Sequence, residues 1–175
     1  MLGEAEERAF LRELANGDQP VPAACQRPTR SALSGLRGFG WPALRDILEV
    51  ARLVFEARNA LRRQPIAEII TELASLRSSS CSGVSADCPA TAAAIRFSRA
   101  RRFVPIGGNC LSDSLALARW LANYGQSAAL VFGVKLDPFA AHCWVQSGEI
   151  LLNDDPGRIE RFTPVRIVQC TRATP

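Results

Sequence analysis

The apolar residues change their period once along this chain, near Gly125, and that switch restricts the fold more than any other feature. Before it, hydrophobic positions recur at three- and four-residue steps: Leu44, Ile47, Leu48, Ala51, Val54 and Phe55, then Ile66, Ile69, Ile70 and Leu73 beyond Pro65. This spacing predicts an amphipathic helix from Ala43 to about Leu61, with Pro42 tolerated in its first turn, and a second helix from Ile66. Ala90–Arg102 reads as a third, basic helix. Asn109 suits the cap of a fourth, from Cys110 to Tyr124, and Gly125 supplies its left-handed stop. Beyond Gly125 the apolar runs are short and β-rich: Ala128–Leu136, His142–Gln146, Ile150–Asn153 and Phe162–Val168. Helices followed by a meander of strands predict an α+β fold, with N-terminal helices packed on a small antiparallel sheet.

Composition narrows the class. An apolar fraction of 47% with 22% charged residues is that of a globular chain. Glu4–Ala15 has helical spacing with a stop at Gly17, residues 17–42 read as loop with one short helix, and Ser78–Pro89 reads as a connection. The charge of +4 is mild. The arginines at Arg58–Arg63 and Arg96–Arg102 lack the interleaved aromatics of a base-stacking surface, so they read as solvated helix faces and no nucleic acid is expected. The N-terminal residues carry no signal-peptide core, and Leu44–Leu61 is too broken by charges to cross a membrane. A reducing cytoplasm with free thiols is the expected setting for Cys25, Cys81, Cys88, Cys110, Cys143 and Cys170. A single histidine and no CxxC pair argue against structural zinc.

The chemistry-bearing residues lie between Gly107 and Asp154. Cys110 opens the fourth helix in Gly-Gly-Asn-Cys-Leu-Ser-Asp-Ser, His142 stands in Ala-His-Cys-Trp-Val, and Asp154 in Leu-Leu-Asn-Asp-Asp-Pro. Thiol, imidazole and carboxylate in that order are the components of a papain-like or transglutaminase-like thiol enzyme. At a helix start the thiolate is favoured by the macrodipole and by unpaired N–H groups, which can also hold an oxyanion. Strand arithmetic brings the other two together. A three-residue loop, Ser147-Gly148-Glu149, sets His142 opposite Asp154, about 5 Å apart at Cβ. A two-residue loop, Ser147-Gly148, slips the register and sets His142 opposite Asn153 instead. The first geometry makes Asp154 the expected third member. Taken singly, each residue has a structural reading: a buried thiol, a hydrogen-bonded histidine, a turn aspartate. Cys143 falls on the face opposite His142 and reads as core. Asp113 and Ser114 read as support for the helix start or lining of the cleft, Trp144 as a wall beside His142, and Lys135, Asp137 and Phe139 as the border of a substrate-facing loop.

Asn-Cys-Leu-Ser-Asp-Ser-Leu-Ala-Leu, Ala-Leu-Val-Phe-Gly-Val-Lys, Pro-Phe-Ala-Ala-His-Cys-Trp-Val and Leu-Asn-Asp together resemble the lasso-peptide B proteins, over roughly Arg99–Val165. These are leader peptidases with a transglutaminase-like domain, related to microcin-maturation proteins. The resemblance implies a transglutaminase-like, papain-like cysteine-protease fold over 43–175, with Cys110 as nucleophile, His142 as general base and Asp154 as its orienting partner. It implies cleavage of a ribosomally made precursor after its leader, and an asparagine-synthetase-type cyclase as partner, which closes the macrolactam with ATP. ATP dependence of the leader-cleavage step is a further implication, although no phosphate-binding loop is present and no cofactor site is expected. The family usually places Ala where Cys143 follows His142. Fused members begin with a winged-helix leader-recognition domain, of which residues 1–42 resemble only the end, so a separate recognition protein is expected to supply leader binding. A non-catalytic scaffold for the cyclase and an acyl-transferring enzyme remain the alternatives.

Overall fold

Residues 27–35, 40–75 and 90–170 are described by the computed structural model. The expected helix over Glu4–Ala15 and the connection Ser78–Pro89 fall outside the described residues. A short strand β1 (Arg30–Ser31) and a 3-10 turn (Ala32–Gly35) precede α1 (Leu44–Arg63), α2 (Ile66–Ser75), α3 (Ala90–Arg101) and α4 (Cys110–Asn123). Then come β2 (Ala128–Leu136), β3 (Phe139–Ser147), β4 (Ile150–Leu151), the single turn α5 (Pro156–Ile159) and β5 (Thr163–Cys170).

The helices form where the apolar spacing demands. In α1, Val50, Leu53, Val54 and Ala57 are buried one and two turns apart; Pro65 ends the run, and Ile66, Ile69, Ile70 and Leu73 bury the same kind of stripe in α2. Pro42 stands one residue ahead of the cap, Ala43, rather than in the first turn. In α4, two adjacent stripes are buried at once, because helices cover one side and β2 and β3 the other. Trp120, fully buried, ties α4 to α3 by donating from Nε1 to the Ala93 carbonyl at 3.0 Å. Replacing Leu117 or Leu121 in this layer by Ala is a cavity-forming change, costing roughly 2–5 kcal/mol.

The sheet runs β1-β4-β3-β2-β5 and is antiparallel except where β1 lies parallel to β4. The meander therefore stops at β4: the chain leaves the sheet after Leu151, turns through α5, and returns as β5 on the far side of β2. One sheet face buries Leu130, Phe132, Cys143 and Val145 against the helices. The other buries Ala129, Val131, Trp144 and Leu151 beneath Ile159 and Phe162 from the α5 excursion. Ala32 belongs to the helix-side core and β1 to the sheet, so residues 30–35 share the body of the protein.

The β3–β4 turn departs from both anticipated registers. Gln146 pairs with Leu151 and Ser147 with Ile150, so the turn is Gly148-Glu149, with Gly148 at φ 57°. Continued straight, that register would set Asp155, not Asp154 or Asn153, opposite His142. Instead the backbone stops pairing after Leu152, whose N–H reaches the Val145 carbonyl at 2.9 Å, and bends.

Candidate active site

Cys110 is the first residue of α4, exposed, with Asn109 capping the helix by accepting from the Leu111 N–H at 2.9 Å. The loop that delivers it is fastened from behind. Arg101 donates to the carbonyls of Val104 (3.2 Å) and Ile106 (2.9 Å) and to Asp113 Oδ1 (3.1 Å), in the first turn of α4. Arg58 reaches from α1 to the Gly107 carbonyl. Arg96 and Arg101 are thus bound to partners in other elements and Arg58 reaches one at the surface, whereas Arg62, Arg63 and Arg102 are exposed, as their clustering suggested. A long side chain that crosses between elements leaves no periodic signal, so only the fold discloses it.

His142 lies in β3, beside Gly133 of β2, and Cys143 alternates to the opposite, helix-side face as expected. The bend after Leu152 brings the Asp154 carboxylate back to His142, where Oδ2 meets Nε2 in a short hydrogen bond. Asp154 Oδ1 accepts from the Asp155 N–H at 2.9 Å, and the Asp154 carbonyl accepts from Ser31 Oγ at 2.7 Å. The orienting acid is therefore held at three atoms. Since Nε2 is taken by Asp154, the ring's other nitrogen, Nδ1, is left for the hydrogen bond with the Cys110 thiol. All three predicted residues come together, although a bend and not strand pairing unites the last two.

The electrostatics follow from this contact. Burial alone pushes the Cys110 thiol up, but the hydrogen bond and charge of His142 and the backbone N–H groups of Cys143 and Leu111 outweigh it, so the thiol titrates below its ordinary value. Burial pulls His142 down, and the hydrogen bonds and charges of Asp154 and Cys110 overcome that, leaving the ring at about 9. Burial raises the Asp154 carboxyl while His142, the Asp155 N–H and Arg158 lower it further, to a net fall. Each group thus favours the charged form of its neighbour: the carboxylate and the sulfur favour the protonated ring, and the protonated ring favours the thiolate. Cys143, fully buried, is pushed well up by desolvation and by Cys110's charge, with only partial relief from Ser114, so it stays a thiol.

Gly133 is the site residue that sequence reasoning missed. A Cβ there would stand 2.7 Å from the Trp144 ring and 3.1 Å from Phe162. The absent side chain lets Phe162 lie 5.1 Å and Trp144 6.1 Å from the His142 ring, walling it from water. A glycine inside a β-run was the available signal. Ser114 does not line the cleft: it is fully buried.

Residues 51–167 match the family model of the transglutaminase-like superfamily. The chain belongs to that superfamily. A stretch of 57 residues is 37% identical to the microcin J25-processing protein McjB of Escherichia coli, covering 33% of this chain and 27% of that protein. No solved structure matches the chain. Members of the transglutaminase-like superfamily are often cysteine enzymes, which accords with an exposed thiol at a helix start beside an imidazole. Among the described residues no helix is long and apolar enough to cross a membrane.

Proposed function

We propose that this protein is a cysteine peptidase that removes the leader segment from a ribosomally made lasso-peptide precursor, with Cys110, His142 and Asp154 as its catalytic residues. The observation that carries the proposal is the contact of an exposed thiol with an imidazole whose other nitrogen is fixed by a carboxylate. The partial identity to a protein named for microcin J25 processing supports this choice of substrate class.

In this mechanism the Cys110 thiolate attacks the carbonyl carbon at the leader junction, forming a C–S bond. The oxyanion lies at the start of α4, where the first N–H groups have no partner inside the helix; losing one such donor typically costs roughly 3–4 kcal/mol of transition-state stabilisation. His142 gives its proton to the leaving amine as the C–N bond breaks, which frees the core peptide's N-terminus. Water then attacks the thioester, His142 takes its proton, and the C–S bond breaks to release the leader as a carboxylic acid. Asp154 keeps the ring oriented and stabilises its charged form throughout. The amine so released is the nucleophile that an ATP-using, asparagine-synthetase-type cyclase needs for macrolactam closure, and a separate recognition protein presents the leader. No step is assigned to ATP on this chain.

Precursor incubated with the purified protein, the recognition protein and the cyclase, followed by mass spectrometry, tests the proposal. Separated leader and core peptides are expected, and a Cys110→Ala variant that cleaves at the normal rate overturns the mechanism. An amide-linked product in place of a free acid identifies acyl transfer. Normal maturation in cells carrying Cys110→Ala or His142→Ala, set against failure on deletion, identifies a scaffold.

A further inference from the structure

β4 is only two residues long, so most of the edge of β3 facing it lacks a strand partner. Side chains take the place of the missing strand. Asn153, on the bend, accepts from the Val145 N–H at 2.8 Å through Oδ1. Its Nδ2 donates to Ser114 Oγ at 2.8 Å, and Ser114 Oγ donates in turn to the Cys143 carbonyl at 3.0 Å. Ser114 stands one turn beyond Cys110 in α4, and Cys143 is next to His142 in β3. The same Cys143 residue that receives Ser114 at its carbonyl offers its N–H to the Cys110 sulfur. The helix that carries the thiol is thus fixed to the strand that carries the imidazole through one fully buried hydroxyl and one amide.

We propose that Ser114 and Asn153 are positioning residues, which hold α4 against β3 so that the Cys110 sulfur and the His142 ring stay in hydrogen-bond contact. Neither touches the reacting atoms. Asn153 also links this device to the acid, because it is the residue before Asp154, whose carbonyl Ser31 pins from β1. The two-residue Ser147-Gly148 loop weighed from the sequence would have set Asn153 itself opposite His142; the observed turn and bend give it this other task. Displacement of catalytic groups by about 1 Å is enough to change rates roughly 100-fold.

This inference rests on the thiolate–imidazolium pair of the proposed function, and the test separates the two. The rate of Cys110 carboxamidomethylation by iodoacetamide is followed by site-resolved mass spectrometry from pH 4 to 10, in the full chain and in Ser114→Ala and Asn153→Ala. The groups that set the profile are His142, Cys143, Asp154 and Arg158. The native chain is expected to alkylate below the range of an ordinary thiol. Both variants are expected to move that inflection up toward the ordinary value and to slow alkylation at pH 6 by about tenfold or more, with circular dichroism unchanged. Their double variant is expected to change no more than either alone, because they act through one chain of bonds. Variants that melt earlier yet keep the native pH profile would show a purely structural role and overturn the inference. A native chain with an ordinary thiol profile would instead overturn the pair itself. If Ser114→Ala fails to fold, Asn153→Ala, on a half-buried bend, carries the same decision.

Discussion

Among the described residues two buried carboxylates, Asp46 and Asp154, bind cationic groups, and only one of them can do chemistry. Asp46 of α1 receives Arg96 of α3 through two bonds, 2.8 Å to Oδ1 and 3.2 Å to Oδ2. The guanidinium lies over Trp120 and Tyr124 of α4 and its cap, 5.6 and 5.1 Å from the ring centres. Asp154 receives His142. The first cation is permanent, and its Asp46 partner pushes the already high guanidinium value up despite burial. The second sits at about 9, within a proton's exchange of neutral pH, and touches an exposed sulfur. Burial and pairing are common to both. What distinguishes a site from a rivet is a titratable partner plus a route to solvent.

Breaking each pair should give opposite readouts. The largest effect belongs to the sulfur: Cys110→Ala should lower leader cleavage about 10⁶-fold, as in other enzymes whose nucleophile is removed, with the melting temperature unchanged. Asp154→Asn should keep the shape but lose the charge that holds the ring, lowering kcat about 10⁴-fold. Single-turnover cleavage measured with the same precursor checks both. Asp46→Asn should do the reverse, lowering stability by about 3 kcal/mol, less than for a wholly buried pair because the Arg96 side chain is 31% exposed. Urea titration checks the loss, and Cys110 alkylation per folded molecule should not change.

Most of the helical layer was legible because one apolar stripe per helix is enough to specify it: α1, α2, α3 and α4 lie within two residues of their expected bounds. β2 was legible too, as a continuous apolar run. What the sequence did not disclose are events that depend on where a chain goes after an element ends. β1 is two residues long and pairs parallel with a strand far along the chain, a contact with no local signature. The Gly148-Glu149 turn could not be told from its neighbours by composition, since Gly148 occupies the left-handed position in either loop length. His142 and Asp154 were rightly expected to meet, yet for a reason the structure replaces: the bend after Leu152, secured by Asn153 and Ser31, and not a pairing across the sheet. The bonds of Arg96 and Arg101 to other elements escaped the solvated-face reading because charge clustering reports composition, not the reach of a side chain.

Gly133→Ala sharpens the comparison from the apolar side. The added methyl must displace Trp144 or Phe162, the rings flanking His142, and nothing near Asp46. Overpacking of this kind costs about 1–3 kcal/mol. It should also admit water to the imidazole and so weaken the acidic shift of the Cys110 alkylation profile. A variant that loses stability and keeps that profile would show that the aromatic wall serves packing alone.

The smallest effect expected is the most selective, because it separates the two pairs by proton affinity. His142 titrates near 6.5 when unfolded and at about 9 when folded, so its contribution to stability is whole below 6.5 and disappears as pH rises through about 9. Asp154, lowered on folding, contributes above its ordinary value and loses that contribution in acid. Arg96 keeps its charge over the whole interval, so the Asp46 pair adds no slope there. The lowered Cys110 thiol contributes in the opposite sense, adding stability as pH rises, so it offsets part of this loss. Thermal melts between pH 6.5 and 9.5 should therefore fall by a few degrees at most in the native chain and in Asp46→Asn, at about 2–4 °C per kcal/mol for a chain of this size. Asp154→Asn should flatten that slope. Leader cleavage should fall across the same alkaline limb, because the proton that leaves His142 is the one the departing amine requires. A slope that survives in Asp154→Asn would mean that the carboxylate does not hold the imidazolium, and the distinction between site and rivet would fail at its chemical end.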